Sequence, residues 1–569
     1  MNHALCLFVF LSLLCVSLGF AAEPVFYARD GSASYPDATI PYDFDGASGK
    51  HIKWKAPLPN WSNSDPIVDA GKVFVLSEPV KGYAPFLLCF DAASGKELWR
   101  RELDPVTCLP AGEQQAVRTF VQETWDWWRH QESLWSEAHL LREEHKAAFT
   151  GEEPPAAIAA RWKAIKQEVE AAGCVFAFKS GAGGPSAPFR LADKNSEQAQ
   201  RLARLKDLSL SLAAWRGSGT WLGVAFPAPV SYDGRVYTVT QHNHFACHGH
   251  DGKLIWQRQF PKTDSRLLTS ATSDRVPKNW RVPWPGLGGF ATSPIMADGL
   301  LLCNAGQMLR ALDAKTGQPR WELPYRWEIG QWHCSPSVAR VDGEAVMIAA
   351  GNGGSKDFKG DELIRIRDGA SVGLVPSRSG ARSRSVTIVV DGDLVVTTVG
   401  LGKRQSATVG YRLSWNADRS ALVCTEVWRL PDPRGFTALK RQPWIDGTVH
   451  HPAGVLDLRT GTMVRAPGYE RYELKGNGGY CGQGGFIAGK AYCKWNFYKG
   501  QFLFFDRSSG QPLGIGTLPV NPPDGLPAAQ KQAEEHRRKD WRWLGAGTPF
   551  AVGNRLYVRS YDFLWCIDQ

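Results

Sequence analysis

The residues best suited to chemistry cluster in QHNHFACHGHDG, which carries His242, His244, His248 and His250. Four imidazoles this close suggest a metal centre, since imidazole nitrogens are common zinc ligands. Spacing argues against one shared ion. The stretch reads as a strand, with His242 and His244 at one end and His248 and His250 at the other. Four residues of strand span roughly 13 Å, whereas ligand bonds are near ~2 Å. No metal site is expected, and His242 and His244 stand only as candidate ligands. His450 and His451 are adjacent and on a strand would point to opposite faces, so they form no joint site.

Cysteine offers a second chemistry. The chain has 12, and Cys481 and Cys493 flank the hairpin GYCGQGGFIAGKAYC. They are a candidate disulfide in an oxidising compartment. Cys89 and Cys566 fall at a small-residue position of a repeat and read as packing residues. A third group precedes apolar runs: Trp61, Trp221, Trp284, Trp332 with His333, Arg382, Trp444 and Trp543. Indoles stack on sugars, flat ligands or aromatic side chains, and arginines bind carboxylate or phosphate. The competing reading is that these tryptophans cement loops to one another. No catalytic set is recognisable, so no catalytic residue is assigned.

The elements that position these residues repeat. CFDAASGKELW ends at Trp99, ACHGHDGKLIW at Trp256 and ALDAKTGQPRW at Trp321. The copies align without a gap, on Asp91 and Gly95 in the first and Asp313 and Gly317 in the third. VLDLRTG, with Asp457 and Gly461, and FFDRSSG, with Asp506 and Gly510, keep the turn and lose the Trp. LIRIRDG is another partial copy, and a longer one runs from Tyr411 to Trp428. Each reads as strand, tight turn, strand, with Gly for an unusual φ and Asp with Ser or Thr capping the turn. Upstream of each lies a second hairpin, such as PIVDAGKVFVL or PIMADGLLLC. PWIDGTV is the doubtful one.

Four short strands per unit, recurring about every 40 to 60 residues, mean propeller blades. The chain opens with DGASGKHIKW, a turn and a Trp strand with Trp54 as its docking residue. It closes with TPFAVGNRLYVRSYDFLWCIDQ, three strands that stop at Asp568. One blade is therefore shared by both ends, which leaves no free sheet edge. The expected fold is all-β, an eight-bladed β-propeller of four-stranded blades. Seven blades is the alternative, because the units around residues 411 and 456 are degenerate.

The pattern Ala-x-Asp-x-x-Thr-Gly-x-x-x-Trp resembles the tryptophan-docking motif of the PQQ-repeat (pyrroloquinoline quinone) β-propeller family. That family takes in quinoprotein alcohol dehydrogenases and BamB-like proteins. The resemblance covers residues 45–104 and 218–569 and implies that Trp54, Trp99, Trp256 and Trp321 wedge between blades. It also implies that loops entering the inner strands ring a channel mouth, which places Trp61, Trp221, Trp284, Trp332, His333, Arg382, Trp444 and Trp543 there. Many quinoprotein alcohol dehydrogenases carry an adjacent cysteine pair beside the cofactor, and this chain has none.

Residues 105–217 break the repeat. Three stretches have helical periodicity: 113–149, 154–172 and 196–215, with Val121, Trp125, Trp128 and Trp135 on one face. They form a helical subdomain, either over the mouth or on the rim. A shorter helical insert is expected at about 522–543. Residues 1–21 contain no Lys, Arg, Asp or Glu and read as a secretory leader, followed by an N-terminal extension over 22–44. No second long apolar run exists, so no transmembrane span is expected, and the location is periplasmic or extracellular. Net charge is +10, which requires no nucleic-acid partner. The functional expectation is a non-catalytic scaffold for a protein or glycan partner, held at the mouth or the insert. No cofactor is expected; the alternative is an alcohol or sugar dehydrogenase using PQQ and Ca²⁺.

Overall fold

The computed structural model describes residues 23–60, 62, 64–79, 82–144, 155–176, 189–193, 195–210, 225–261, 292–306, 308–324, 335–349, 360–377, 388–402, 405–432, 442–451, 454–464, 483–496, 500–519, 547–560 and 563–569. Its strands form eight four-stranded antiparallel blades. Blade 1 covers residues 67–102, blade 2 230–259, blade 3 295–324 and blade 4 337–376. Blade 5 covers 389–432, blade 6 444–464, blade 7 483–517, and blade 8 550–567 together with 52–57. Seven blades is thereby excluded. PWIDGTV forms the inner hairpin of blade 6, with Trp444 opposite Val449 and Ile445 opposite Thr448. Its inner strand is only two residues long, which is why its signal was faint.

Blades are wedged by the repeat. Each docking indole of blade n lies over the Gly of the turn between strands three and four of blade n+1. Trp54 Nε1 donates to the Ala92 carbonyl at 3.2 Å and Trp99 Nε1 to that of His250 at 3.0 Å. Trp256 reaches Ala314 at 3.0 Å and Trp321 reaches Ile366 at 2.6 Å. The Gly is required twice over. Gly317 has φ +68°, and a Cβ there would sit 2.6 Å from the Trp256 ring. Asp313 caps the same turn, accepting from the Lys315 and Thr316 amides. Asp91, Asp457 and Asp506 repeat this arrangement.

Two junctions depart from the sequence reading. Trp428, at the end of the degenerate copy, is a full docking residue: its Nε1 donates to Leu458 at 2.7 Å and its ring covers Gly461. Between blades 4 and 5, Gly373 stands four residues after Gly369, where the three gapless copies have Trp. A Cβ on Gly373 would meet the Leu422 carbonyl at 3.0 Å, so the outer strands approach closely. The indole comes from the other side instead. Trp415 of blade 5 donates to the Val341 carbonyl of blade 4 at 3.3 Å. Arg419 lies 5.3 Å over its ring and reaches Asp342 and Glu344 at 3.3 and 3.5 Å.

Closure joins the chain ends as the motif halves imply. The strand Ile52–Pro57 pairs with Phe563–Ile567, with Trp54 opposite Cys566. Asp45 caps the DGASGK turn, accepting from the Ala47 and Ser48 amides. The carboxylate of Asp568 is buried and binds Lys53 at 2.6 Å, Arg555 at 3.0 Å and the Asn554 amide.

The insert holds α1 (Ala111–Glu144), α2 (Ala156–Ala171) and α3 (Glu197–Asp207). α3 stops at Asp207, well short of the expected 215, as Ser209 turns to φ +59°; residues 211–215 lie outside the described residues. A small hairpin, Cys174–Phe176 with Phe189–Leu191, joins α2 to α3 and carried no sequence signal. Among the described residues, no helix is long and apolar enough to cross a membrane.

Two outcomes test this account. Trp256→Ala is expected to lower unfolding free energy by about 3–5 kcal/mol in urea titrations. Gly317→Ala should cost much of the same and add little on top of Trp256→Ala, since both act on one contact. Asp568→Ala removes a buried anion from two half-exposed cations and is expected to cost about 1–3 kcal/mol. An unchanged midpoint for Asp568→Ala would mean that pairing of the terminal strands alone seals the ring.

Candidate functional site: a channel closed at one end

Strand direction fixes two faces. Inner strands begin at the mouth, where loops arrive from the preceding blade, and end at tight turns on the opposite face. The N-terminal extension closes that opposite end. Val25 and Ser231 of blade 2 exchange both backbone hydrogen bonds, at 2.8 and 2.7 Å. The chain then crosses the channel to blade 6, where the Trp444 amide donates to Ser32 at 3.2 Å and Ser34 Oγ donates to the Trp444 carbonyl at 2.8 Å. Ser34–Tyr35 adds to the inner edge of blade 7 as a parallel strand. Tyr35 Oη donates to Pro549 of blade 8 at 3.0 Å. Ala28, Arg29 and Ala33 turn the segment through left-handed φ values of 52°, 74° and 53°. Phe44 finally packs on the outer strand of blade 7, where Gly516 makes room for its ring.

The insert sits on the mouth face. α1 lays Val117, Val121 and Trp125 on Tyr83 and Ala84 of the blade 1 loop, and Trp125 meets His242 edge-on at 6.5 Å. The side chain of Trp135, placed on the same face by periodicity, lies outside the described residues. Asp104 anchors the insert by accepting from Tyr83 Oη at 2.8 Å and pairing with Arg118 at 2.8 Å. The rim alternative is therefore replaced by a position over the mouths of blades 1 and 2.

Of the mouth candidates, Trp61, Trp221, Trp284, Trp332, His333, Arg382 and Trp543 lie outside the described residues, as do Cys481 and the insert at 522–543. Trp444 is half-buried against the core between blades 5 and 6, and its main chain holds the N-terminal segment. Cys493 is buried in the blade 7 core. The histidines have separate partners. His242 Nε2 lies 2.8 Å from the Tyr83 carbonyl and His244 Nε2 3.4 Å from Gln257 Oε1. His250 Nε2 lies 2.8 Å from Ser231 Oγ, which also donates to Asp69 at 2.7 Å. Among the described residues, no three His, Cys, Asp or Glu side chains converge as metal ligands.

Arg310, buried at the mouth end of blade 3, is committed to Glu322 and the Ala305 carbonyl. Arg559, buried at the mouth end of blade 8, binds the carbonyls of Leu76 and Asn60.

Burial holds His244 and His248 down to about 4, with the neighbouring His244 charge adding to the effect on His248. Burial does the same to His450. Folded values below the ordinary ~6.5 mean the unfolded chain takes up protons first. Stability is complete above pH 6.5 and falls between about 6.5 and 4, by up to ~1.4 kcal/mol per pH unit for each group. Thermal unfolding followed over that window should show the decline, and His244→Gln should flatten it.

The family model described as outer membrane protein assembly factor BamB matches residues 23–126 and 211–397, about half of the chain. No curated protein sequence matches the chain. Among solved structures, a quinohemoprotein alcohol dehydrogenase from Comamonas testosteroni is similar with 8% identity and a TM-score of 0.41, over 95% of this chain and 80% of that one. BamB from Moraxella catarrhalis is similar with 11% identity and a TM-score of 0.29, over 90% of this chain and 95% of that one. At these scores neither structure bears on function, and the assignment rests on the family model and on the docking turns. With five docking tryptophans seated on their turn glycines and the family model spanning about half its length, this chain belongs to the PQQ-repeat β-propeller family.

Proposed function

We propose that the protein is an exported, non-catalytic scaffold that holds a protein or glycan partner at the insert-bearing mouth. One observation carries this reading. The chain's own N-terminal segment closes the far end of the channel, while α1 is fixed over blades 1 and 2 at the near end by Asp104, Arg118 and the Trp125–His242 contact. Among the described residues, the insert thus stands at the end of the channel that the N-terminal segment does not cross. The family model's description as an assembly factor supports a protein as the partner. The tryptophans of the entry loops would add indoles to that surface, the residue type that most often anchors protein interfaces.

The test has two arms. Purified protein titrated with PQQ and Ca²⁺ is expected to show neither a saturable thermal shift nor dye-linked oxidation of an alcohol and sugar panel; a shift with turnover would replace the scaffold by a dehydrogenase. A photo-cross-linking residue at Thr119, on the exposed face of α1, is expected to give a discrete adduct in the source cells. The same residue at Val552, on the closed end, should give none. Equal labelling from both positions would sink the assignment of the mouth.

A further inference from the structure

Blade 7 lacks the docking residue on both of its sides. The indole stands four residues after the turn Gly in Trp99, Trp256 and Trp321. At that position blade 6 has Arg465, after Gly461, and blade 7 has Gly514, after Gly510. Blade 6 meets blade 7 through Ile445, Val455 and the His450 ring, which lies 5.8 Å from that of Tyr492. On the other side stands Gly49, the turn Gly of blade 8. A Cβ there would have no described atom within 4 Å, whereas a Cβ on Gly95 would meet the Trp54 ring at 2.5 Å.

The N-terminal segment supplies what the repeat omits. After crossing the channel it passes round the turn end of blade 7 and binds both edges of that blade. At the inner edge the Ile487 amide donates to Ala33 at 2.9 Å and the Gly489 amide to Tyr35 at 2.9 Å. At the outer edge the Thr517 amide donates to Phe44 at 2.8 Å and the Gly46 amide to Thr517 at 2.9 Å. Phe44 is buried, with its ring 5.3 Å from Phe502 and 6.1 Å from Phe504, and Tyr42 lies 5.3 Å from Phe504. Phe44 shares one core with Leu518 of blade 7 and Leu564 and Trp565 of blade 8, so it fills the wedge between the two blades. Blade 7 is shaped to receive the segment. A Cβ on Gly489, Gly514 or Gly516 would collide with the Ala38 carbonyl, the Tyr42 carbonyl and the Phe44 ring respectively.

One segment thus has two roles. Residues 25–35 stop the channel and residues 33–46 clasp blade 7, and the bonds at Ala33 and Tyr35 belong to both. A unit with fewer independent ties than its neighbours opens at lower free energy than the whole molecule. We propose that residues 25–46 and blade 7 form one opening unit, the seam at which the ring parts. Unstopping the closed end of the channel and loosening the channel wall are then a single event. This holds whatever binds at the mouth.

Hydrogen exchange of the full chain in sub-denaturing urea is the test. The amides of Gly46, Ile487 and Thr517 are expected to exchange through one shared opening, at least about tenfold faster than the strand amides of blade 3. Phe44→Ala should speed exchange over residues 25–46 and 483–517 by at least about tenfold again and leave residues 295–324 unchanged. Trp256→Ala, which acts between blades 2 and 3, should give the reverse pattern. Should Phe44→Ala not fold, Tyr42→Ala removes a half-buried ring from the same clasp and is expected to act in the same places. Equal acceleration of every blade by the clasp variant would mean that the ring opens as one body and would overturn the proposal. Acceleration confined to residues 42–46 would mean that the clasp frays alone, and would overturn it too.

Discussion

Everything in this structure depends on how a ring of wedges is closed. Each blade is a twisted sheet that buries both faces against neighbours, so no blade can be stable with one face bare. A linear chain of eight such sheets would leave two bare faces and open edges. The chain removes both by building blade 8 from its two ends, with Ile52–Pro57 completing Phe563–Ile567. The seal is local and ionic as well as main-chain, since Asp568 is buried between Lys53, Arg555 and Asn554.

The same constraint governs the junctions. An indole over a turn glycine is a compact way to fix the angle between two sheets, because the ring fills the wedge and its N–H finds a carbonyl there. Where the ring is missing, another solution fills the same role. Between blades 4 and 5 the outer strands touch through Gly373, and Trp415 with Arg419 ties the inner part of the junction from the opposite direction. The motif is therefore one means of wedging, not the condition for a blade.

Closing the ring also creates a channel, and the two ends of that channel are treated differently. Residues 25–40 cross the turn face, with their backbone groups bonded to blades 2, 6, 7 and 8. Burying a chain segment across an axis is tolerable because its peptide groups find partners on the inner strands. The mouth face instead carries α1, held by a carboxylate, a guanidinium and a phenol at Asp104. This asymmetry, more than any single side chain, distinguishes the two ends of the channel.

The sequence by itself determined the blades. A turn that needs Gly at positive φ and Asp to cap it leaves the same residues wherever it occurs, so Asp91–Gly95, Asp313–Gly317 and the split motif at the termini are readable from residue type and spacing alone. Amphipathic spacing likewise announced α1. Trp428 and the inner hairpin of blade 6 were faint because one copy carries a long insertion and the other a two-residue strand, which breaks the alignment but not the packing. Only the tertiary structure decided the rest. That residues 25–40 plug the channel depends on partners hundreds of positions away, and an irregular segment bonded through its main chain has no periodicity to betray it. The fate of the histidine run was decided in the same way. Which imidazole meets Tyr83, Gln257 or Ser231 is set by the blades and helix packed around one strand, and side-chain spacing along that strand carries no record of them.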